Sequence, residues 1–204
     1  MSLIEFCKKG DWDLDGVKAA LQSGVDVNSK DENGYTALKW AVIRNHIPVI
    51  ELLLDTPNID VNLTDENGWN ALIQAVDDDN IEAVKLLLKH PNIDVNNVED
   101  IFGRSALNVA VLEEDSDPEV LELLLSHPSL TAHTLNMKET SYEVAPVMLA
   151  VCWCRLEHLA LLVADPRVDL DTTDNEGRSL EEVARCIFLL HFCSILSIMP
   201  ISIT

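Results

Sequence analysis

The stretch from Asp65 to Glu99 recurs, with small changes, on both sides of itself, and this constrains the fold more than any other feature of the chain. Within it Ala71, Leu72, Ala75 and Val76 form one apolar stripe at helical spacing, and Ile81, Val84, Leu87 and Leu88 form a second. Two short amphipathic helices are therefore expected. Asn70 stands where an N-cap side chain would accept a free backbone N–H, and Asp79-Asn80 interrupts the pattern between the helices. Pro91 disfavours helical backbone at His90 and ends the second helix there. Ile93-Asp94-Val95-Asn96 then alternates apolar and polar residues, as an extended return does. Asn33-Gly34 and Asn67-Gly68 are hairpin-turn pairs, with both residues expected at positive φ. A unit of this size cannot cover both of its apolar stripes. Only neighbours stacked on each side remove Leu72, Val76, Leu87 and Leu88 from water together.

The period sharpens the reading. Gly34 and Gly68 are 34 residues apart, and Gly68 and Gly103 are 35 apart. The pattern Gly-x-Thr/Ser-x-Leu-x-x-Ala runs through Gly34–Ala41, returns as GWNALIQA over Gly68–Ala75, and again as GRSALNVA over Gly103–Ala110. Second-helix signatures IELLL, VKLLL and LELLL end at Leu54, Leu88 and Leu125. In period and wording the chain resembles the ankyrin repeat, whose unit is about 33 residues. The resemblance covers residues 1 to 185 and implies an all-α repeat solenoid with β-hairpin loops, five to six repeats long. The boundaries fall near 1–30, 31–64, 65–99, 100–138, 139–173 and a partial 174–185, followed by an apolar tail over 186–204. The chain departs from the family in two ways. After the first repeat the loop before Val-Asn is one residue longer, and the Pro and His of the first helix are missing; loop length is cheap to change.

Charge limits the partners. Against 14 Lys and Arg stand 35 Asp and Glu, a formal net charge of −21, and such a surface repels nucleic-acid phosphates and anionic lipid. The acidity either keeps the solenoid soluble or selects a partner with a basic segment. Five cysteines, Cys7, Cys152, Cys154, Cys186 and Cys193, show no framework spacing, as in a reduced intracellular thiol set. Met1–Lys9 lacks the apolar core of a signal peptide, so the sequon Asn62-Leu63-Thr64 reads as an ordinary hairpin residue.

The later repeats are irregular. Glu113–Pro118 adds an acidic turn expected to project from the stack, and Thr131–Glu143 reads as a long polar hairpin region. Cys152-Trp153-Cys154 stands where a Gly or Asn turn belongs. From Cys186 to Thr204 the only ionisable side chains besides cysteine are those of His191 and the terminus. This tail either folds back on the last repeat, anchors the protein in a membrane, or is foreign to the family; at most 19 residues broken by serines and Pro200 is short for a span.

Little in the chain suggests chemistry. Asp11–Gly16 imitates the opening of a calcium loop, but the twelfth position is Gln22 and Val17–Leu21 reads as helix. Asp77-Asp78-Asp79 reads as a solvated helix end. His46, His90, His127 and His158 fall at helix ends near terminal carbonyls, without zinc spacing. No phosphate loop or nucleophile motif appears, so no enzyme activity, cofactor or metal is expected.

The resemblance implies protein recognition through hairpin tips and the concave row of first helices. Its variable surface positions fall on Glu32, Asn33, Tyr35, Ile43 and Arg44, on Glu66, Asn67, Trp69, Asp77 and Asp78, and on Ile101, Phe102, Arg104, Leu112 and Glu113. Tyr35, Trp69 and Phe102 are aromatic turn residues, suited either to hot spots or to covering the adjacent hairpin. Trp69 is expected to leave from the hairpin rather than enter the stack, and Trp40 to be core. The reading is a monomeric adaptor, cytoplasmic with the nucleus open, binding a protein segment. The alternative is a membrane-tethered protein held by its tail.

Overall fold

The structure is a computed structural model in which residues 2–8, 14–113 and 116–187 are described. Its helices come in pairs along the chain. Helices α1 (Leu3–Lys8), α3 (Ala37–Ile43), α5 (Ala71–Asp77), α7 (Ala106–Leu112) and α10 (Pro146–Cys152) stack as one row. Helices α2 (Leu14–Gln22), α4 (Ile47–Leu54), α6 (Ile81–Leu88), α8 (Pro118–Ser126) and α11 (Leu156–Ala164) stack as a second row behind it. A further helix, α9 (Ala132–Asn136), is inserted before the fifth pair, and residues 180–187 open another helix after it. The molecule is an all-α repeat solenoid, as its period implies.

First helices are short because each end is marked in the sequence. Thr36, Asn70 and Ser105 cap α3, α5 and α7 by accepting the N–H of Lys39, Ile73 and Asn108, groups that would otherwise lack a partner. At the other end Asn45, Asp79 and Cys154 take left-handed backbone, with φ of 50°, 48° and 54°. The next N–H in each case, from His46, Asn80 or Arg155, returns to the carbonyl of Ala41, Ala75 or Ala150, which closes the helix in a Schellman turn. The core between the rows is built from Ala, Leu and Val, including Leu38, Leu72, Leu107, Leu53, Leu87 and Leu124, all nearly inaccessible.

An asparagine ladder ties successive repeats together. Asn28 donates to the carbonyl of Asn58 and accepts the N–H of Asp60; Asn62 does the same with Asn92 and Asp94. Asn96 continues it to Ser129 and Thr131, and Asn136 to Arg167 and Asp169. The amide of the sequon residue Asn62 is thus engaged between repeats.

Several expectations are corrected. Thr131–Glu143 is not one hairpin: Thr131 caps α9, and the hairpin begins only at Glu139, whose N–H meets the carbonyl of Val144. The Asn-Gly pairs do not form two-residue turns, since only Gly34 and Gly68, and neither asparagine, have positive φ. Asp31 Oδ1 accepts the N–H of Asn33 and Tyr35, and Asp65 Oδ1 accepts those of Asn67 and Trp69. These bonds fix a three-residue loop whose last residue alone is left-handed. A Cβ on Gly68 would also sit 2.7 Å from the backbone nitrogen of Asp100 in the next hairpin. In the hairpin of the fifth repeat Glu143 holds that left-handed place, with φ 57°.

The acidic turn after α7 partly folds inward: Ser116 is buried and the Asp117 N–H donates to Asp79, while 114 and 115 lie outside the described residues. His46, His90 and His127 accept backbone N–H groups through Nδ1 instead of meeting carbonyls. His158 is buried where the other second helices carry Val49, Ala83 and Val120, and its burial lowers its pKa. The calcium-loop imitation is helical from Leu14, which puts Gln22 on α2; residues 9–13 lie outside the described residues. So do residues 188–204 of the tail, which all three tail readings invoke. No described helix is long and apolar enough to cross a membrane. Cys7, Cys152, Cys154 and Cys186 are free thiols.

Candidate protein-recognition face

Each hairpin is held by a carboxylate at its base, and the way that carboxylate is completed organises the surface above it. Asp65 accepts two loop N–H groups through one oxygen, and its other oxygen takes the ammonium of Lys39 from the preceding repeat. Lys39 Nζ also donates to the carbonyl of Trp69 at 3.1 Å and lies 4.7 Å from the Tyr35 ring centre and 5.9 Å from that of Trp69. Burial pushes the Lys39 pKa down, and the hydrogen bond and charge of Asp65 oppose the shift. Glu99 accepts the N–H groups of Ile101, Phe102 and Arg104. Glu139, fully buried, accepts those of Ser141 and Tyr142 and lies 3.7 Å from Arg104 Nε. Neighbouring hairpins are also joined directly, with the Asp100 N–H on the Asn67 carbonyl and the Thr140 N–H on that of Phe102.

These bonds determine where the sequence-predicted positions lie. Glu32, Asn33, Glu66, Asn67 and Ile101 are exposed on the hairpin loops, with Glu32 3.8 Å from Lys8. Tyr35 and Trp69 are half-buried, each beside Lys39. Phe102 stays 42% exposed and carries the Arg104 guanidinium 4.5 Å from its ring centre. Trp69 therefore does enter the stack: part of its ring packs against the core, because the Lys39 site draws it inward. Trp40 meets its expected core place only in part. Like Trp69 it is half-buried and packs against the core, but its Nε1 donates to Asp31 Oδ2, its ring lies edge-on to Tyr35, and Lys8 and Arg44 stand within 6 Å of its centre.

At the ends of the first helices stand Ile43 and Arg44, Asp77 and Asp78, and Leu112 and Glu113; Arg44 and Asp78 are exposed and the others half-buried. The pairs occupy one register in α3, α5 and α7, so the middle of the row carries only carboxylates beside Leu112. Asp77 is not a freely solvated helix end. Burial, the charges of Glu113 and Asp78, and a hydrogen bond with Glu113 push its carboxyl up to about 6. Asp78 is raised too, by burial, although Gln74 donates to it. Among the described residues no group of His, Cys, Asp and Glu is arranged to hold a metal ion.

Sequence reasoning missed Lys39, which takes the place of Ile73 and Asn108 in the next repeats and is just as buried. It also missed Tyr142 and Trp153, which occupy in the fifth repeat the places of Phe102 and Glu113 and are 47% and 50% exposed. Aligning the fifth repeat on Ala110 and Ala150 would have found both.

A family model described as ankyrin repeats in three copies matches residues 3–98, and a second, ankyrin repeats in many copies, matches residues 72–125. Ankyrin repeat domain-containing protein 40 of Mus musculus is 49% identical over 45 residues, and that of Homo sapiens 51% over 43 residues. These matches cover 22% and 21% of this chain and only 12% of either relative. Among solved structures, EF0377, an ankyrin repeat protein, superposes with a TM-score of 0.78 at 23% identity over 98% of both chains. A chain from the complex of the Bdellovibrio bacteriovorus predatory endopeptidase Bd0816 with immunity protein Bd3460 superposes with a TM-score of 0.72 at 21% identity, over 93% of both chains. At these identities the structural likeness is one of fold.

Proposed function

Because this chain belongs to the ankyrin-repeat family, we propose that it is a non-enzymatic adaptor that grips a segment of a partner protein with its hairpin loops and first-helix row. The contact would run from Glu32, Asn33, Tyr35 and Arg44 through Glu66, Asn67, Trp69 and Asp78 to Ile101, Phe102, Arg104 and Glu113. One observation carries the choice of partner: Asp77, Asp78 and Glu113 stand together at the centre of this row, where burial first, and then the charges of Glu113 and Asp78, raise Asp77 to about 6. Like charges held together cost free energy, and a cationic side chain placed among them recovers it. A partner segment bearing Lys or Arg is the chemistry that fits, in keeping with the chain's net charge of −21.

The test uses charge reversal on both rows. Proteins recovered with the wild-type chain should be lost with Asp78→Arg and Glu113→Arg, and retained with Glu51→Arg and Glu122→Arg on the second helices. Equal retention by all four variants, or equal loss, would overturn the proposal.

A further inference from the structure

We infer that a cavity between the fifth helix pair and the hairpin after it receives a Lys or Arg side chain of the bound segment. This deepens, and rests on, the reading of the first-helix row as the binding face. The cavity has a volume of about 250 Å³ and is lined by Tyr142, Val144, Leu149, Trp153, Asp174 and Arg178, among others. Its floor is buried and apolar, from Val144 and Leu149. Its walls are the rings of Tyr142 and Trp153, 6.3 Å apart between centres and inclined at 72°. About half of each aromatic residue is open to solvent, and both occupy the register of the binding positions in the earlier repeats.

The rest of the molecule indicates what such rings take. Tyr35 and Trp69 have Lys39 over them, Trp40 has Lys8 and Arg44, and Phe102 has Arg104. Among the described residues no Lys or Arg lies over Tyr142 or Trp153. Arg178 on the rim is held by Asp174 at 2.7 Å and, outside the cavity lining, by Glu176 at 3.1 Å, so its guanidinium is occupied by carboxylates and not by the rings. Ring faces attract cations, and the aliphatic stem of Lys or Arg covers apolar surface while its head stays near charge. An apolar floor, two half-exposed rings with no cation over them and the Asp174 carboxylate at the rim together match that amphipathic side chain.

The full-length chain, labelled with ¹⁵N, is titrated with N-acetyl-lysine amide and with N-acetyl-norleucine amide, an apolar side chain lacking the ammonium. The Trp153 indole N–H, assigned with Trp153→Phe, is the readout. The lysine compound should shift this signal saturably and norleucine should not, and Tyr142→Ala should weaken the response about threefold or more. Trp153→Arg, which puts at this position the residue type found at Arg44, should keep the melting curve and abolish the shift of the Tyr142 backbone N–H signal by the lysine compound. A shift by norleucine equal to that by lysine would assign the cavity to an apolar anchor and overturn the inference, as would no shift by either. A basic peptide tested in parallel on Asp78→Arg and Glu113→Arg separates the two readings. Indifference of the peptide to those changes, with the Trp153 response intact, defeats the acidic centre and leaves the cavity standing.

Discussion

Lys39 and Asp65, 26 residues apart in the chain, form an ion pair in which only 2% and 3% of the two side chains are exposed. It locks the hairpin of one repeat to the first helix of the repeat before it, within the face we propose for recognition. A buried pair adds little over apolar packing, but removing one partner strands the other charge, at a cost of about 3–5 kcal/mol. Lys39→Met should lower the unfolding free energy by ~3 kcal/mol in chemical denaturation. A change below about 0.5 kcal/mol, the range of ordinary surface substitutions, would show that the pair does not hold the hairpin.

Trp69→Ala should cost both stability and affinity. The residue is partly buried against the core beside Lys39, so a loss of ~1–2 kcal/mol in the melt is expected, below that of a fully buried Trp. Phe102→Ala, at a more exposed ring, should destabilise less. The reverse order in paired melts would contradict the placement of the two rings.

The Asp77 carboxyl titrates at about 6 in the folded chain, above its ordinary value of 3.8. The folded protein keeps a proton there that the unfolded chain has released. The group's contribution is therefore present below about pH 4 and is lost as pH rises through 6. Asp77→Asn should raise the melting temperature at about pH 7.5 and leave it unchanged near pH 3.5. An increase of the same size at both pH values would refute the shift.

Cys154 occupies a left-handed position that Asn45 and Asp79 fill in other repeats. A side chain like cysteine pays about 1 kcal/mol there, and asparagine less. Cys154→Asn should stabilise by ~0.5–1 kcal/mol, while Cys152→Asn, at the end of α10, should not. No gain at position 154, measured by urea denaturation, would mean the turn is not strained.

What was legible in the sequence was whatever a single repeat decides locally. The period, the two helices per unit and the cap at Asn70 follow from spacing and capping within about 34 residues, since each depends on neighbours along the chain, and the row of first-helix ends was supplied by the family resemblance. What the stacking decided could not be read that way. Lys39 looks like any polar residue on a helix until the next repeat brings Asp65 to its ammonium, and the same pairing draws Trp69 in. Trp40 fits a core pattern by periodicity and does pack against the core, yet the hydrogen bond to Asp31 and the cations Lys8 and Arg44 keep it only partly buried. The carboxyl of Asp77 is raised by burial and by Glu113, 36 positions away in the chain and adjacent only because two first helices stack. Hydrophobic periodicity reports which face of a helix is buried. Only the neighbouring repeat determines which charge or ring that face meets, and the character of the recognition face depends on those meetings.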